Sequence, residues 1–307
     1  MRLALVLIVA LLTGGRALAQ SPPELLIEAP APLAAARTRL ERFDRRPLSS
    51  IVRAVGLDAP GPPMRVVLAE DGSEWARQVP PWAAGFAIGE AGLVVLFPSR
   101  SPLYPHDTLE DVLRHEVAHV LISRAAAGHP VPRWFHEGLA VAVERPWDLE
   151  DRTRLASALL FGPRLGLMEI DAHFAGDEAA QQRAYVLSTA LVRHLMREYG
   201  GDAPGRVLRE AAGGRSFDLA VASLTAQSLP RFEEEFWRGQ RTWTIWVPLI
   251  VSSTALWLGV IALAALAVRR RRQRSRQIRE RWANEENVQW EEPGEVAVHD
   301  PPRGGAP

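Results

Sequence analysis

The chain contains no cysteine and no lysine, and its only asparagines are Asn284 and Asn287. Without cysteine there is no disulfide and no thiolate metal site. A domain exported to an oxidising compartment would therefore rest on its core or on a bound metal. All 36 basic residues are arginine, and 36 acidic residues balance them to zero net charge. That balance excludes the broadly cationic surface expected of a nucleic-acid partner. The shortage of lysine and asparagine reads as codon bias, not chemistry. No internal repeat is visible.

The 307 residues allow one or two domains once the ends are set aside. Met1-Arg2 leads into an apolar run over residues 3–12, and Ala17-Leu18-Ala19 offers an A-x-A cleavage site. Residues 1–19 therefore read as a secretory signal peptide. Near the other end, residues 245–268 are mostly apolar and uncharged. They are long enough for a bilayer core of about 30 Å. Trp243 and Trp246 suit the outer interface, and Arg269, Arg270, Arg271, Arg272, Arg274 and Arg276 follow. Positive charge marks the cytoplasmic side. The expectation is a single-pass membrane protein, in contact with lipid through 245–268. Its N-terminal part lies outside the cytoplasm, with a polar, disordered cytoplasmic tail over 269–307.

Between these ends, residues 20–63 read as a Pro-rich spacer followed by a helical segment near Leu33 to Phe43. Met64-Arg65-Val66-Val67-Leu68-Ala69 and Gly92-Leu93-Val94-Val95-Leu96-Phe97 read as buried strands. Trp82 to Gly85 turns into an extended stretch. From Val131 to Trp237 the pattern is helical.

After the strands comes His115-Glu116-Val117-Ala118-His119, which is H-E-x-x-H. On a helix, residues four apart share a face, so both imidazoles reach one tetrahedral ion. The glutamate then faces the ion's open position, where it can take a proton from water. The surrounding pattern supports a helix. Asp107-Thr108-Leu109-Glu110 has the form of a capping box with Asp107 at the N-cap. Leu109, Val112, Leu113, Val117, Val120 and Leu121 give an apolar face, and Gly128 and Pro130 mark a stop. The rival reading, a surface helix with two solvated histidines, fits these apolar neighbours poorly.

Eighteen positions after His119 stands Glu137, within Trp134-Phe135-His136-Glu137-Gly138-Leu139-Ala140. H-E-x-x-H followed by W-x-x-E-G-x-A resembles the gluzincin branch of zinc metallopeptidases, and within it the small bacterial peptidases of the MA-like type. The resemblance runs from about Met64 to Trp237. It implies an α+β zincin-like domain over 64–241, with a small sheet, the H-E-x-x-H helix and a helical C-terminal part. It implies Zn2+ held by His115, His119 and Glu137, with Glu116 as general base and a protein or peptide substrate.

One departure stands out. Many gluzincins carry an acid four positions after the glutamate ligand, orienting the first histidine; here that residue is Val141. A backbone carbonyl, or Glu144 from the next turn, would have to serve. Gluzincins often supply a tyrosine or histidine to the oxyanion, which makes Tyr185 a catalytic candidate; the alternative is a tyrosine half-buried in helix packing. His194, nine positions on, faces away and reads as structural. His136, beside Glu137, reads as packing or surface, with a decoy ligand or an active-site donor as the alternatives. His106, His129, His173 and His299 show no ligand spacing. The functional rivals to a membrane-anchored protease acting near the membrane surface are an inactive zincin-fold binding module and an envelope sensor.

Overall fold

Strands β1 (Leu25–Glu28), β2 (Met64–Leu68), β3 (Gly85–Ile88) and β4 (Leu93–Leu96) form one sheet in the order β1-β2-β4-β3. The computed structural model describes residues 21–101, 105–106, 108–251 and 253–289. Pairing is parallel from β1 to β2 and from β2 to β4, and antiparallel between β4 and β3. β4 reads Leu-Val-Val-Leu and is buried at every position. A central strand covered on both faces takes such a run. Val94 and Leu96 join the main core, while Leu93, Val95 and Phe97 join a smaller cluster with Ala69 and Ala76. β1 and β3 are the two edge strands, and β3 is the one beside the H-E-x-x-H helix.

The stretch read as a spacer supplies β1, whose Leu25 pairs in register with Met64. Helices α1 (Ala34–Glu41) and α2 (Arg46–Ala54) follow it, and Leu40, Leu48, Ile51 and Val52 enter the main core. This part is thus integral to the sheet domain.

Helix α3 (Leu109–Ala125) carries H-E-x-x-H and packs on β3 and β4. Its N-cap is Thr108, whose Oγ1 accepts from the Asp111 N–H at 3.2 Å and donates to Asp111 Oδ2 at 2.7 Å. The expected cap Asp107 lies outside the described residues. Threonine takes the role because its short hydroxyl reaches the N3 amide directly. The helix stops where Ala127 and Gly128 adopt positive φ, 50° and 75°.

Helical structure dominates the rest: α4 (Arg133–Glu144), α5 (Leu149–Phe161), α6 (Leu167–His173), α7 (Glu178–Tyr199), α8 (Ala203–Ala212), α9 (Phe217–Thr225), α10 (Leu229–Val251) and α11 (Ser253–Gln289). A small sheet, the H-E-x-x-H helix and helices beyond it give a mostly helical α/β domain. α7 ends at Gly200, whose φ of 101° no β-carbon tolerates well.

The chain divides into two compact units, Met1–Thr244 and Ile245–Pro307. The signal-peptide reading of 1–19 falls outside the described residues. The expected span over 245–268 is shared between α10 and α11, with residue 252 outside the described set. Among the described residues, no helix is long and apolar enough to cross a membrane. The expected disordered tail is helical as far as Gln289. Its Arg, Gln, Glu and Ala residues are good helix formers, and no proline interrupts them before Pro293.

Candidate metal centre

The site is built where α3, α4 and α7 meet. His115 and His119 lie one turn apart on α3, with their Nε2 atoms 3.0 Å apart. α4 places Glu137 against them: its Oε2 is 3.5 Å from His115 Nε2 and 3.4 Å from His119 Nε2. Ligands about 2.0–2.1 Å from a tetrahedral ion stand about 3.3 Å from one another. The three atoms are therefore spaced to share one ion. Glu137 Oε2 is buried and has no hydrogen-bond partner, a costly condition that a cation relieves. The donor set of two imidazoles and one carboxylate suits zinc with one position left open.

Electrostatics point the same way. Burial opposes charge on His115, yet the carboxylates of Glu137 and Glu144 draw its imidazole up to about 10. Burial likewise opposes charge on Glu137, but the neighbouring histidines hold its carboxyl well below the usual range. The pocket favours positive charge at the point where the three ligands converge.

Glu116 is buried and lines the same cleft. Burial, with the charge of Glu137, raises its carboxyl against the pull of His119, His115 and His106. Tyr185 reaches the cleft from α7, its ring 6.4 Å from that of His115 and 5.1 Å from Phe174. Burial, then the charges of Glu137 and Glu116, push its hydroxyl well above 10, so it stays a donor at working pH. The cleft measures about 850 Å³ and is walled on one side by Gly85, Phe86 and Ala87 of β3.

A metal-ligating histidine usually gives its outer N–H to a partner. Val141 is buried and apolar and offers His115 nothing. Glu144, at the last position of α4, instead brings Oε2 within 3.3 Å of His115 Nδ1. The approach is off the N–H direction, so it is an ion pair more than an aligned hydrogen bond. For His119 the partner is His136. The rings stack at 4.7 Å with their Nδ1 atoms 2.7 Å apart, so one proton lies between them. Burial, then the charge of His119, lowers His136 to about 3, so its ring stays neutral.

By pattern His136 reads first as packing or surface, and His106 has no assigned role. Both line the cleft. The adjacency of His136 to Glu137 was the available signal; His106 gave none. His194 is separate, accepting from Arg197 at 2.8 Å and packing on Phe232 and Phe236. His129 and His173 join no metal group among the described residues, and His299 lies outside them.

The sequence model of the peptidase MA superfamily matches residues 80–239. The chain belongs to that superfamily. The match covers β3, β4, the α3 ligands and every helix from α4 to α9, so the whole candidate centre falls within the peptidase MA region. Neither the curated proteins nor the solved structures give a match to this peptidase MA chain.

Proposed function

We propose that this peptidase MA domain is a zinc metallopeptidase that hydrolyses peptide bonds. The observation that carries the reading is the convergence of Glu137 Oε2 on both Nε2 atoms of the H-E-x-x-H histidines, beside a buried Glu116. Held by His115, His119 and Glu137, zinc would supply a Lewis acid for the scissile carbonyl and lower the pKa of water toward about 7. Glu116 takes the proton of the attacking water on its carboxylate and returns it to the amine nitrogen as the C–N bond breaks. Its raised pKa suits both transfers. Tyr185 donates its hydroxyl proton in a hydrogen bond to the developing oxyanion. β3 gives an extended substrate an edge to pair with.

The test is zinc content and peptide cleavage by the purified full-length chain and its Glu116→Gln variant. Zinc in both and cleavage by the wild type alone supports the reading. Zinc in both with no cleavage by either leaves a zincin-fold binding module.

The domain is further proposed to be exported and held at the outer membrane face through 245–268. The support is the uncharged apolar stretch before the arginine cluster. In α11, the described side chains of Trp257, Ile261, Leu263 and Leu266 are exposed, which suits contact with lipid. Tethering would favour protein substrates near the membrane surface. Reporter fusions after Trp237 and after Arg276 test the orientation; a cytoplasmic signal from the first would overturn it.

A further inference from the structure

His106 belongs to no motif in the sequence. It precedes α3, is 9% exposed, and its Nδ1 donates to Glu144 Oε1 at 3.1 Å. The Glu144 side chain is wholly buried. A carboxylate in that position must be paired to remain charged. Its two oxygens go to two imidazoles, Oε1 to His106 and Oε2 toward His115.

We propose that His106 is a positioning residue of the metal centre: it holds one oxygen of Glu144 so that the other stays paired with the outer nitrogen of His115. The inference rests on the metal reading of His115, His119 and Glu137.

Three further observations support it. Val141 cannot supply the missing acid, so orientation of His115 falls to Glu144 at the C-terminal end of α4. Its second oxygen needs a partner if the first is to face His115. His106 supplies that partner through a hydrogen bond to a charged acceptor, the stronger class of such bonds. Next, the loop carrying His106 is fastened to the same helix end. Arg145, adjacent to Glu144, donates to the carbonyl of Pro105, adjacent to His106, at 3.2 Å. Arg145 is itself fixed by Asp151 at 2.7 Å. Last, the His106 ring lies edge-on to His115, with centroids 4.5 Å apart and planes 62° apart. The loop thus braces the ligand by contact and through the carboxylate. The arrangement extends the centre to a residue N-terminal to α3, where the two metal motifs give no hint of it.

The test compares zinc dissociation constants, by competition with a chromophoric chelator, for the full-length wild type, His106→Leu, His106→Asn, Glu144→Gln and the His106→Leu/Glu144→Gln double variant. Visible spectra of the cobalt-substituted proteins report ligand geometry, which a role in packing alone would not move. Outer partners of metal ligands are worth about 10–100-fold in affinity. His106→Leu is expected to weaken zinc within that range and to shift the cobalt bands. His106→Asn, which keeps an N–H donor near the Nδ1 position, is expected to recover most of the loss. The double variant is expected to bind no more weakly than Glu144→Gln, because His106 acts through Glu144. Unchanged affinity and spectrum in His106→Leu, or additive losses in the double variant, would overturn the inference. So would two zinc ions per wild-type chain with one lost in His106→Leu, since His106, His115 and Glu144 would then be ligands of a second ion. If His106→Leu does not fold, His106→Asn decides: near-wild-type affinity supports the proposal and a loss as large as that of Glu144→Gln overturns it. A wild-type chain without zinc overturns the metal reading and this inference together, whereas zinc-loaded wild type with indifferent His106 variants overturns this inference alone.

Discussion

A β-carbon on Gly138 would stand 2.4 Å from the carbonyl oxygen of Ser188. α4 and α7 therefore meet backbone to backbone, one residue from Glu137 and three from Tyr185. Gly138→Ala is expected to force the helices apart and cost about 1–3 kcal/mol, as overpacking does. Zinc affinity should fall with it, because Glu137 moves with α4. Denaturant unfolding of zinc-free protein, beside a zinc titration, checks both. A variant as stable as wild type would show that the helices part without strain.

Removal of a ligand has a different signature. Glu137→Ala is expected to lose stoichiometric zinc and, because metal binding free energy is also folding free energy, the stabilisation zinc gives the wild type. Metal analysis of the dialysed protein decides this. One zinc per chain in the variant would exclude Glu137 as a ligand.

For Tyr185, the separation is between chemistry and packing. Tyr185→Phe keeps the ring against Phe174 and removes only the hydroxyl. If that hydroxyl serves the oxyanion, kcat is expected to fall about 10²–10³-fold with zinc content intact. An unchanged kcat would return Tyr185 to packing.

His194 gives a pH dependence away from the metal. Its pKa is lowered by burial and by the charge of Arg197. The unfolded chain therefore binds a proton there more readily than the folded one. The stability contributed is full above the unfolded value near 6.5 and is lost as pH falls from there through the folded pKa. Zinc-free wild type is expected to lose more stability between pH 7.5 and 5.5 than His194→Leu. Equal losses in the two proteins would mean that another group carries the dependence.

The legible parts of the molecule are those that local chemistry dictates. β2 and β4 are short, rich in valine and leucine, and bounded by turn residues, so the pattern alone locates them. α3 declares itself through its apolar face, and the pairing of His115 with His119 follows from helical spacing. β1 is hidden because its four residues sit between Pro22-Pro23 and Pro30. What makes it a strand is the partner at Met64, not its own composition. α2 begins at Arg46-Pro47 and is likewise defined by what it packs against. In the site, Glu137 is legible through the motif around it. The contact of His106 with Glu144 joins positions 38 residues apart that no spacing rule connects. The stacking of His136 on His119 depends on how α4 lies across α3.

The order of the elements also affects how the centre assembles. β3, β4, α3 and α4 follow one another in the chain; β3 and β4 contact each other and α3, and α3 contacts α4. The edge strand β3, the base and all three candidate ligands thus come from one continuous stretch of the chain, residues 85–144. Tyr185 arrives only with α7, and β1 must find β2 across the helices between them. Short closures cost less entropy and form sooner than long ones. The metal-holding half is therefore the local half of the domain.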